Sequence, residues 1–264
     1  MHAFAGGDDG SGPGARVTLD ADGNVYGMAP TGGSFGLGTI YQLHPKKNGS
    51  YSFRVLHAFT GGDDGSTGSA GRMILRNGRL YGAATTGGAH GSGIVFELRR
   101  NGAGGLWTLQ TLSSFLGSPD GRFPYGALLF DESGHISGTT YYGGVNGIGT
   151  AYQLTRNSDG SWSEKVLYSF RTGRDGNSSI SNLVADSTGS LFGTTSEGGL
   201  GSGTIFQLTP NGNSWTESLP HLFAGPPDGG FPYAGMTSGG GDVFYGATVH
   251  GGTNGEGAIY QFTP

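Results

Sequence analysis

Short apolar runs separated by turn-forming residues fill the whole chain. The runs are rich in Val, Ile, Tyr, Phe and Thr, and clusters of Gly, Asp and Asn separate them. Such runs are typical of β-strands, and such clusters of tight turns. In one stretch they predict strands near 126–131, 135–141, 149–155 and 162–170, with a hairpin at 131–134. No segment carries a capped helical period, so the pattern predicts an all-β fold.

The same pattern occurs five times. A phenylalanine followed five residues later by Asp-Gly recurs at steps of 55, 56, 55 and 53 residues. These phenylalanines are Phe4, Phe59, Phe115, Phe170 and Phe223. A self-similar period of about 50 residues is typical of propellers and solenoids. Because each copy holds four predicted strands, we predict a five-bladed β-propeller with four antiparallel strands per blade. A linear β-solenoid is the alternative, although its rungs are usually shorter.

The two ends of the chain are predicted to meet in one blade. Four copies have an aromatic residue eight positions before the Phe, whereas Phe4 has no such position, and the last copy stops at Pro264 after its third strand. Met1 to Phe4 would then complete the last blade as its fourth strand, a 3+1 Velcro closure that removes a free sheet edge. The predicted organisation is a single propeller domain, residues 1–264. Its predicted blades are 14–59, 70–115, 125–170, 180–223, and 233–264 together with 1–4.

Composition narrows the classes of partner. Glycine accounts for 57 of the 264 residues, but the glycines hold fixed places in the period and so mark turns rather than disorder. The net charge of −5 and the lack of a basic stripe argue against nucleic acid or an anionic membrane as partner. Without cysteine there is no disulfide or thiol nucleophile. The sequence shows no signal peptide or membrane span, and we expect a monomer without a cofactor.

Blade topology places two sets of loops on one rim. If the first strand of each blade lines the axis and the fourth lies outside, the fourth-to-first and second-to-third links leave from the same end. That rim carries every Asp-Gly loop and every loop with paired glycines, such as Gly87-Gly88. The tight hairpins and links such as 46–49 lie on the other rim. We therefore look for ligand contacts on the Asp-Gly rim.

The aspartates of the repeat have two interpretations. They are Asp9, Asp64, Asp120, Asp175 and Asp228. An aspartate before glycine caps its own turn by accepting backbone N–H groups. Alternatively, each accepts hydrogen bonds from a ligand hydroxyl or binds a hard cation, although the spacing matches no calcium-loop motif and we predict no metal. The paired glycines likewise indicate positive φ and tight packing, or backbone left open to a ligand.

Positions where the copies differ are more informative about a ligand. The residue before the paired glycines varies, and two copies carry aromatic residues beyond the Asp. The varied positions selected as ligand contacts are Phe123, Tyr125, Tyr142, Glu197, Phe231, Tyr233 and His250. Exposed rings beside carboxylates suit sugars, because a ring packs on the apolar C–H face while polar groups bind the hydroxyls. The alternative is that these rings fill gaps between neighbouring blades.

Catalytic signals are weaker. A glycosidase needs two carboxylates about 5 to 10 Å apart in different environments. Any two of the five aspartates, or Glu197 with Glu256, are candidates, but nothing singles out a pair, so we predict no catalytic residue. His2, His57 and His221 share one repeat position, two residues before the Phe, and are interpreted as packing residues. No nucleophile-elbow, phosphate-loop or zinc-protease motif occurs.

The repeat resembles a known family. Ser190–Thr195 (SLFGTT), followed by Gly198-Gly199 and Gly203–Leu208 (GTIFQL), is similar to the bacterial tandem repeats called Gloeo-Verruco, or GloVer, repeats, and the likeness covers the entire chain. The resemblance implies an exported, extracytoplasmic protein and names no reaction. Gly78–Gly82 (GRLYG) is similar, more loosely, to the five-bladed tachylectin-type lectins.

Symmetry guides the functional hypothesis. Near-equal copies can each hold a weak site, and avidity multiplies weak affinities. We therefore predict a non-catalytic, multivalent binding module for a glycan or another small polar ligand. A structural or adhesive repeat domain, and a five-bladed glycoside hydrolase or polysaccharide lyase, are the alternatives.

Overall fold

A computed structural model describes residues 2–68, 71–102, 104–173, 175–177 and 181–264. Every regular element in these ranges is a β-strand, and the sheets are antiparallel. The fold is a five-bladed β-propeller, as the repeat predicted. Contact density groups the chain into two units. Unit 1 comprises Met1–Leu116 and Phe123–Leu128, and unit 2 comprises Gly117–Arg122 and Leu129–Pro264.

Unit 1 holds the first two blades. The first blade has strands β1 (Thr18–Leu19), β2 (Val25–Ala29), β3 (Thr39–Pro45) and β4 (Tyr51–Ala58), paired in that order. The second has β5 (Ser66–Gly68), β6 (Ile74–Arg76), β7 (Arg79–Thr86), β8 (Ile94–Arg100) and β9 (Trp107–Ser114). Here β7, β8 and β9 form the outer meander, and both β5 and β6 pair with β7.

Unit 2 holds the other three blades. After β10 (Arg122–Pro124), the third blade has β11 (Leu129–Phe130), β12 (Ile136–Tyr142), β13 (Thr150–Arg156) and β14 (Trp162–Ser169). The fourth has β15 (Val184–Ala185), β16 (Leu191–Thr195), β17 (Thr204–Asn211) and β18 (Ser214–Leu222). The fifth has β19 (Gly229–Gly230), β20 (Thr237–Gly240), β21 (Val243–Thr248), β22 (His250–Gly251) and β23 (Ala258–Phe262).

The innermost strands are shorter than predicted. The strand expected over 126–131 is only β11, Leu129–Phe130, whereas β12, β13 and β14 lie within two residues of their predicted bounds. Side-chain hydrogen bonds link the inner parts of neighbouring blades. Asn182 donates to the Met236 carbonyl at 2.8 Å, and Thr139 donates to the Ser181 carbonyl at 3.0 Å, so adjacent inner segments are tied laterally.

The prediction that the N-terminal segment forms a Velcro strand is wrong for its described residues. Residues 2–5 have no strand assignment, and the last sheet of the described chain has three strands, β20-β21-β23. The segment around Phe4 packs through its side chains. Its rings instead contact the first blade: His2 stacks on Phe53 with centroids 3.8 Å apart, and Phe4 packs edge-on against Tyr41 at 5.1 Å.

The repeated phenylalanines join one blade to the next. Phe59, Phe115 and Phe170 are fully buried, and Phe223 is 2% exposed. Phe59 packs edge-on against Phe96 of β8 with ring centroids 6.0 Å apart, and Phe170 packs in the same way against Phe206 of β17 at 5.0 Å. Each joint therefore buries the end of one fourth strand under the third strand of the following blade. The exact blade limits stay predictions, and those at 70 and 180 lie outside the described residues.

The glycine of each second strand makes room for an aromatic ring. Gly82 lies directly opposite Phe96 in the β7–β8 ladder, and Gly138 lies opposite Tyr152 in β12–β13. A Cβ on Gly82 would lie 2.7 Å from Phe96 Cζ, closer than real contacts allow. The ring thus covers the bare backbone of the glycine on the neighbouring strand, and this contact fixes the register of the two strands.

Candidate functional site

Four of the Asp-Gly turns are held by the carboxylate of their own aspartate, those of Asp9, Asp64, Asp175 and Asp228. Asp64 accepts hydrogen bonds from the Thr60 backbone N–H at 3.0 Å, from the Thr60 hydroxyl at 2.5 Å and from His57 Nε2 at 2.9 Å. Burial lowers the pKa of His57, and the bond to Asp64 offsets part of that effect. These contacts support the turn-capping interpretation of Asp64.

Other copies of the turn use the same device. Asp9 accepts from the Ala5 N–H at 2.9 Å and from His2, and Asp228 accepts from the Ala224 N–H at 3.0 Å and from His221. The Ala5 hydrogen bond lowers the pKa of Asp9. The three histidines therefore do more than pack against their phenylalanines, because they also orient the capping aspartate.

The fourth Asp-Gly turn replaces histidine with a tyrosine. Tyr168 donates its hydroxyl to Asp175 at 2.5 Å, and Arg171 Nε donates to the same oxygen at 3.0 Å. The Arg171 guanidinium also lies 5.8 Å from the centre of the Tyr168 ring. In the remaining copy, the Asp120 backbone carbonyl accepts from Thr150 at 2.7 Å.

Replacing Asp64 with alanine is expected to destabilise the protein by about 2 kcal/mol, because one charged acceptor serves three donors at a half-buried turn. The midpoint of urea denaturation measures the loss. Asp63 is the matched control, since it is exposed and adjacent, and Asp63→Ala is expected to change stability by less than about 0.5 kcal/mol. Equal losses in the two variants would contradict the capping role.

The two predicted loop sets do lie together. The N–H of Gly88 donates to the Gly62 carbonyl at 2.8 Å, and the N–H of Gly144 donates to the Gly117 carbonyl at 2.9 Å. Gly143 has φ of 84°, and a Cβ there would lie 2.7 Å from the backbone of Gly121. The paired glycines thus provide positive φ and close backbone approach, which supports their structural interpretation.

Two of the predicted ligand residues have a strained backbone. Phe123 has φ of 59° and Phe231 has φ of 58°, and the same place in the first two copies is also left-handed, with Gly12 at 66° and Thr67 at 56°. A bulky residue in this left-handed region is a conformational outlier, but its recurrence at Thr67 assigns it to the geometry of the repeat rather than to a ligand site. The Phe231 N–H donates to the Ser202 carbonyl at 2.7 Å, which helps to fix the loop. Phe123 and Tyr125 are half-buried.

The structure brings three predicted residues together around Phe231. The rings of Phe231 and Tyr233 are nearly parallel, at 22°, with centroids 6.4 Å apart, and the His250 ring meets Phe231 edge-on at 5.4 Å. Tyr233 is 45% exposed. We call Phe231, Tyr233 and His250 the aromatic clamp, a partly exposed ring surface with one polar edge.

A second predicted group surrounds Tyr142. Its ring is 38% exposed, meets Tyr141 with centroids 4.3 Å apart and lies 5.5 Å from the Arg122 guanidinium. A hydrogen bond with Tyr141 raises the pKa of Tyr142, and the negative charge of Glu197 adds to that rise. Glu197 itself accepts from Asn177 Nδ2 at 3.2 Å. This group combines an exposed ring with charges of both signs.

A cavity on the other rim was missed by sequence reasoning. About 510 Å³ in volume, it lies between the first two blades, where hairpins and third-strand ends meet. Its walls are Asp20, Asp22, Asn24, Tyr26, Gln42, His44, Ser52, Arg54, Gly78, Arg100 and Trp107. One sequence feature could have indicated this cavity. His44 and Arg54 differ from the residues at the same places in the fourth copy, which are Thr209 and Ser218.

The described ranges contain neither a metal-binding cluster nor a membrane-spanning helix. No group of three or more His, Asp or Glu side chains is arranged to hold a metal ion. None of the described segments is a helix long and apolar enough to cross a bilayer.

Comparisons with known proteins agree with the fold. The Gloeobacter/Verrucomicrobia repeat profile matches residues 103–264, more than half of the chain. No curated protein is similar enough to count as a match. A protein of unknown function from Dyadobacter fermentans is similar in structure, with a TM-score of 0.55 at 12% identity over 95% of this chain and 78% of that one.

Two other solved structures are enzymes. A puromycin-hydrolyzing peptidase from Mycobacterium tuberculosis has a TM-score of 0.56 at 13% identity, over 94% of this chain and 36% of the peptidase, so this chain spans about a third of its length. A GH43 β-xylosidase/α-arabinofuranosidase from a compost microbial metagenome has a TM-score of 0.44 at 11% identity, over 95% of this chain and 90% of that one. At these identities the likeness concerns the fold alone.

Proposed function

The chain belongs to the Gloeobacter/Verrucomicrobia repeat family, and from that premise we propose that it is a carbohydrate-binding module whose main contact is the aromatic clamp. One observation carries the proposal: the rings of Phe231 and Tyr233 are nearly parallel with centroids 6.4 Å apart, and Tyr233 is 45% exposed. An exposed ring on a loop that the hydrogen bond from Phe231 to the Ser202 carbonyl holds in place is a reason to infer a binding role. By resemblance to exported repeats, we place the module outside the cytoplasm.

The chemistry of the clamp suits a sugar ring. The face of an aromatic ring carries partial negative charge, and the axial C–H groups of a pyranose are weakly positive, so the two pack face to face. The His250 ring at the edge of Phe231 adds a polar nitrogen for a hydroxyl. A flat, half-exposed surface of this kind binds weakly and reversibly, as expected of a module that acts through several copies.

The Tyr142 group is the second proposed contact. Its exposed ring lies beside Arg122 and Glu197, so a hydroxylated ligand would meet a donor and an acceptor around one aromatic face. In this proposal the capping aspartates position the loops, as Asp228 does beside the clamp. Two unequal contacts in unit 2 make the binding multivalent without requiring five identical sites.

A glycan array followed by calorimetry tests the proposal. For a neutral glycan found on the array, Tyr233→Ala is expected to weaken binding about tenfold, the loss of about 1.4 kcal/mol of ring contact. Phe231→Gly removes the second ring while relieving the positive φ, so it is expected to lose binding without losing stability. Tyr51→Ala is the matched control, because Tyr51 is a tyrosine of similar exposure, 41%, on β4 of unit 1.

The alternatives give different results. Silence across the array, with intact folding, would favour a structural or adhesive role. Release of reducing ends from a polysaccharide panel would favour the hydrolase or lyase. An equal loss of binding in Tyr51→Ala and Tyr233→Ala would rule out the clamp as the contact surface.

A further inference from the structure

The cavity between the first two blades has the size and setting of a ligand site. Its volume of about 510 Å³ falls within the range of roughly 300 to 1,000 Å³ that small-molecule sites occupy. Strand ends and hairpins from β1 to β4 form one wall, and Gly78, Arg100 and Trp107 of the second blade form the other. A ligand there would contact both blades of unit 1.

A connected polar network organises the first wall. The Asp20 carboxylate accepts from Asn24 Nδ2 at 2.7 Å and from the Tyr26 hydroxyl at 2.9 Å. Gln42 Nε2 donates to the Tyr26 oxygen at 3.1 Å, and His44 Nδ1 lies 2.6 Å from Asn24 Oδ1. Side chains linked in this way lose little further freedom when a ligand binds, which favours affinity.

The network also has defined protonation states. Burial alone would raise the pKa of Asp20, but the hydrogen bonds from Asn24 and Tyr26 outweigh it and lower the pKa, so the carboxylate is ionised near neutral pH. Burial, reinforced by Asp20, raises the pKa of Tyr26 to about 12, so the phenol keeps its proton. The wall therefore offers fixed donors and acceptors of the type that hydroxyl groups require.

Two arginines in the cavity lack protein partners. Neither Arg54 nor Arg100 donates a side-chain hydrogen bond or forms an ion pair within the described ranges, and both are exposed. Arg79 shows the contrasting case on β7, because its Nη1 contacts both Glu97 oxygens at 3.0 and 3.1 Å. A guanidinium group matches the geometry of a carboxylate and forms charge-assisted hydrogen bonds with the carboxylate oxygens. Arg54 and Arg100 are thus available to an anionic ligand group.

The indole of Trp107 completes the second wall. It packs edge-on against Tyr26 with centroids 6.1 Å apart and is half-buried. Its Nε1–H is buried with no hydrogen-bond partner in the described part of the chain. A buried N–H without an acceptor is unfavourable, and an oxygen of a ligand would relieve it. The indole also supplies the one large ring on that side of the cavity.

We propose that this cavity binds an acidic sugar of the uronic acid class, with its carboxylate on Arg54 and Arg100 and its ring beside Trp107. The ligand hydroxyls bind Asp22, Asn24 and His44. Other copies lack this set: the fourth has Ser190, Thr209 and Ser218 at the places of Asn24, His44 and Arg54. The site is therefore single, and it differs from the aromatic clamp in both rim and ligand charge.

Calorimetry on the full chain with glucuronate and galacturonate, each against its neutral parent sugar, tests the proposal. Wild-type protein is expected to bind at least one uronate at least tenfold more tightly than the parent sugar, and less tightly as salt rises. The double variant Arg54→Gln/Arg100→Gln is expected to lose that preference at an unchanged melting temperature. Arg99→Gln is the control, because Arg99 is an exposed neighbour on β8 that does not line the cavity, and it should leave affinity within twofold.

Trp107→Phe keeps an aromatic ring and removes the unpartnered N–H, and it is expected to weaken uronate binding several-fold. Tyr233→Ala should leave uronate binding unchanged, so failure of the clamp and failure of this site are distinguishable. Equal binding of acid and parent sugar, no binding of either uronate, or equal losses in the Arg99 and Arg54/Arg100 variants would each overturn the proposal.

Discussion

Gly82→Ala is expected to destabilise the protein by about 3 kcal/mol, although it adds a single methyl group. That methyl would lie 2.7 Å from Phe96 Cζ and 3.1 Å from Met73 Cγ. Phe96 is fully buried and Met73 is 1% exposed, so neither can move away without disturbing the core of unit 1. Thermal denaturation should show a melting temperature lower by roughly 6 to 12 °C.

A double-mutant cycle separates this clash with the Phe96 ring from any effect of the substitution on the backbone alone. Shortening the ring with Phe96→Leu costs stability alone, but Gly82→Ala/Phe96→Leu should lose clearly less than the sum of the single variants. Gly7→Ala is the control, because no atom lies within 4 Å of a Cβ there and its φ is not positive. Strict additivity in the cycle would show that the ring does not require this glycine.

Raising the pH from about 4.5 to about 7 is expected to reduce stability through one carboxyl group, that of Glu217. It lies on β18 at the place of Leu109 on β9, and its Oε1 is buried with no partner in the described ranges. Burial, together with the negative charge of Asp175, raises the pKa of Glu217 from 4.5 to about 7, and Arg171 offsets part of that rise.

The sign of the effect follows from proton binding. Between these two pKa values the folded protein keeps the proton of Glu217 while the unfolded chain has lost it, so each step up in pH favours unfolding. The full shift corresponds to about 3 kcal/mol, which solvent screening at a half-buried side chain reduces to about 2 kcal/mol. Above pH 7 this contribution stays lost.

Chemical denaturation of wild type and Glu217→Gln across pH 4 to 8.5 isolates that term, because the other titrating groups cancel in the difference. The variant is expected to be about as stable as wild type at pH 4 and about 2 kcal/mol more stable at pH 8. Glu132→Gln, at an exposed hairpin position, should give a difference that does not vary with pH. If the stability difference between wild type and Glu217→Gln did not vary with pH, the raised pKa of Glu217 would be ruled out as the cause.

The repeat made the fold predictable because its spacing encodes contacts between neighbours. The recurring Phe59 and Phe170 set the period of the repeat, and both are fully buried where one blade meets the next. Strand register was harder, since Gly82 meets Phe96 only after β7 and β8 have paired, and a list of recurrent glycines does not name their partners. The inner strand over 126–131 was overestimated because only Leu129 and Phe130 pair with β12.

The candidate sites were less predictable for a related reason. Phe231, Tyr233 and His250 were identified as varied positions on one rim, and the structure brings their rings together. The positive φ of Phe231 is shared by Gly12 and Thr67 at the same place in the first two copies, but only Gly12 indicates it in the sequence. Arg54 and Arg100 belong to different blades and meet only through blade packing, on a rim to which no function was assigned.

The Asp-Gly joint has a consequence for synthesis on the ribosome. Its cap is made by residues close in sequence, His57, Thr60 and Asp64, so it can form as soon as that segment has emerged. The bond from Gly88 to Gly62 follows a little under half a repeat later, and Phe96 then covers Phe59. Because the chain emerges from its N-terminus, we expect blades to be added one after another onto a preformed corner, with short-range closure at every step.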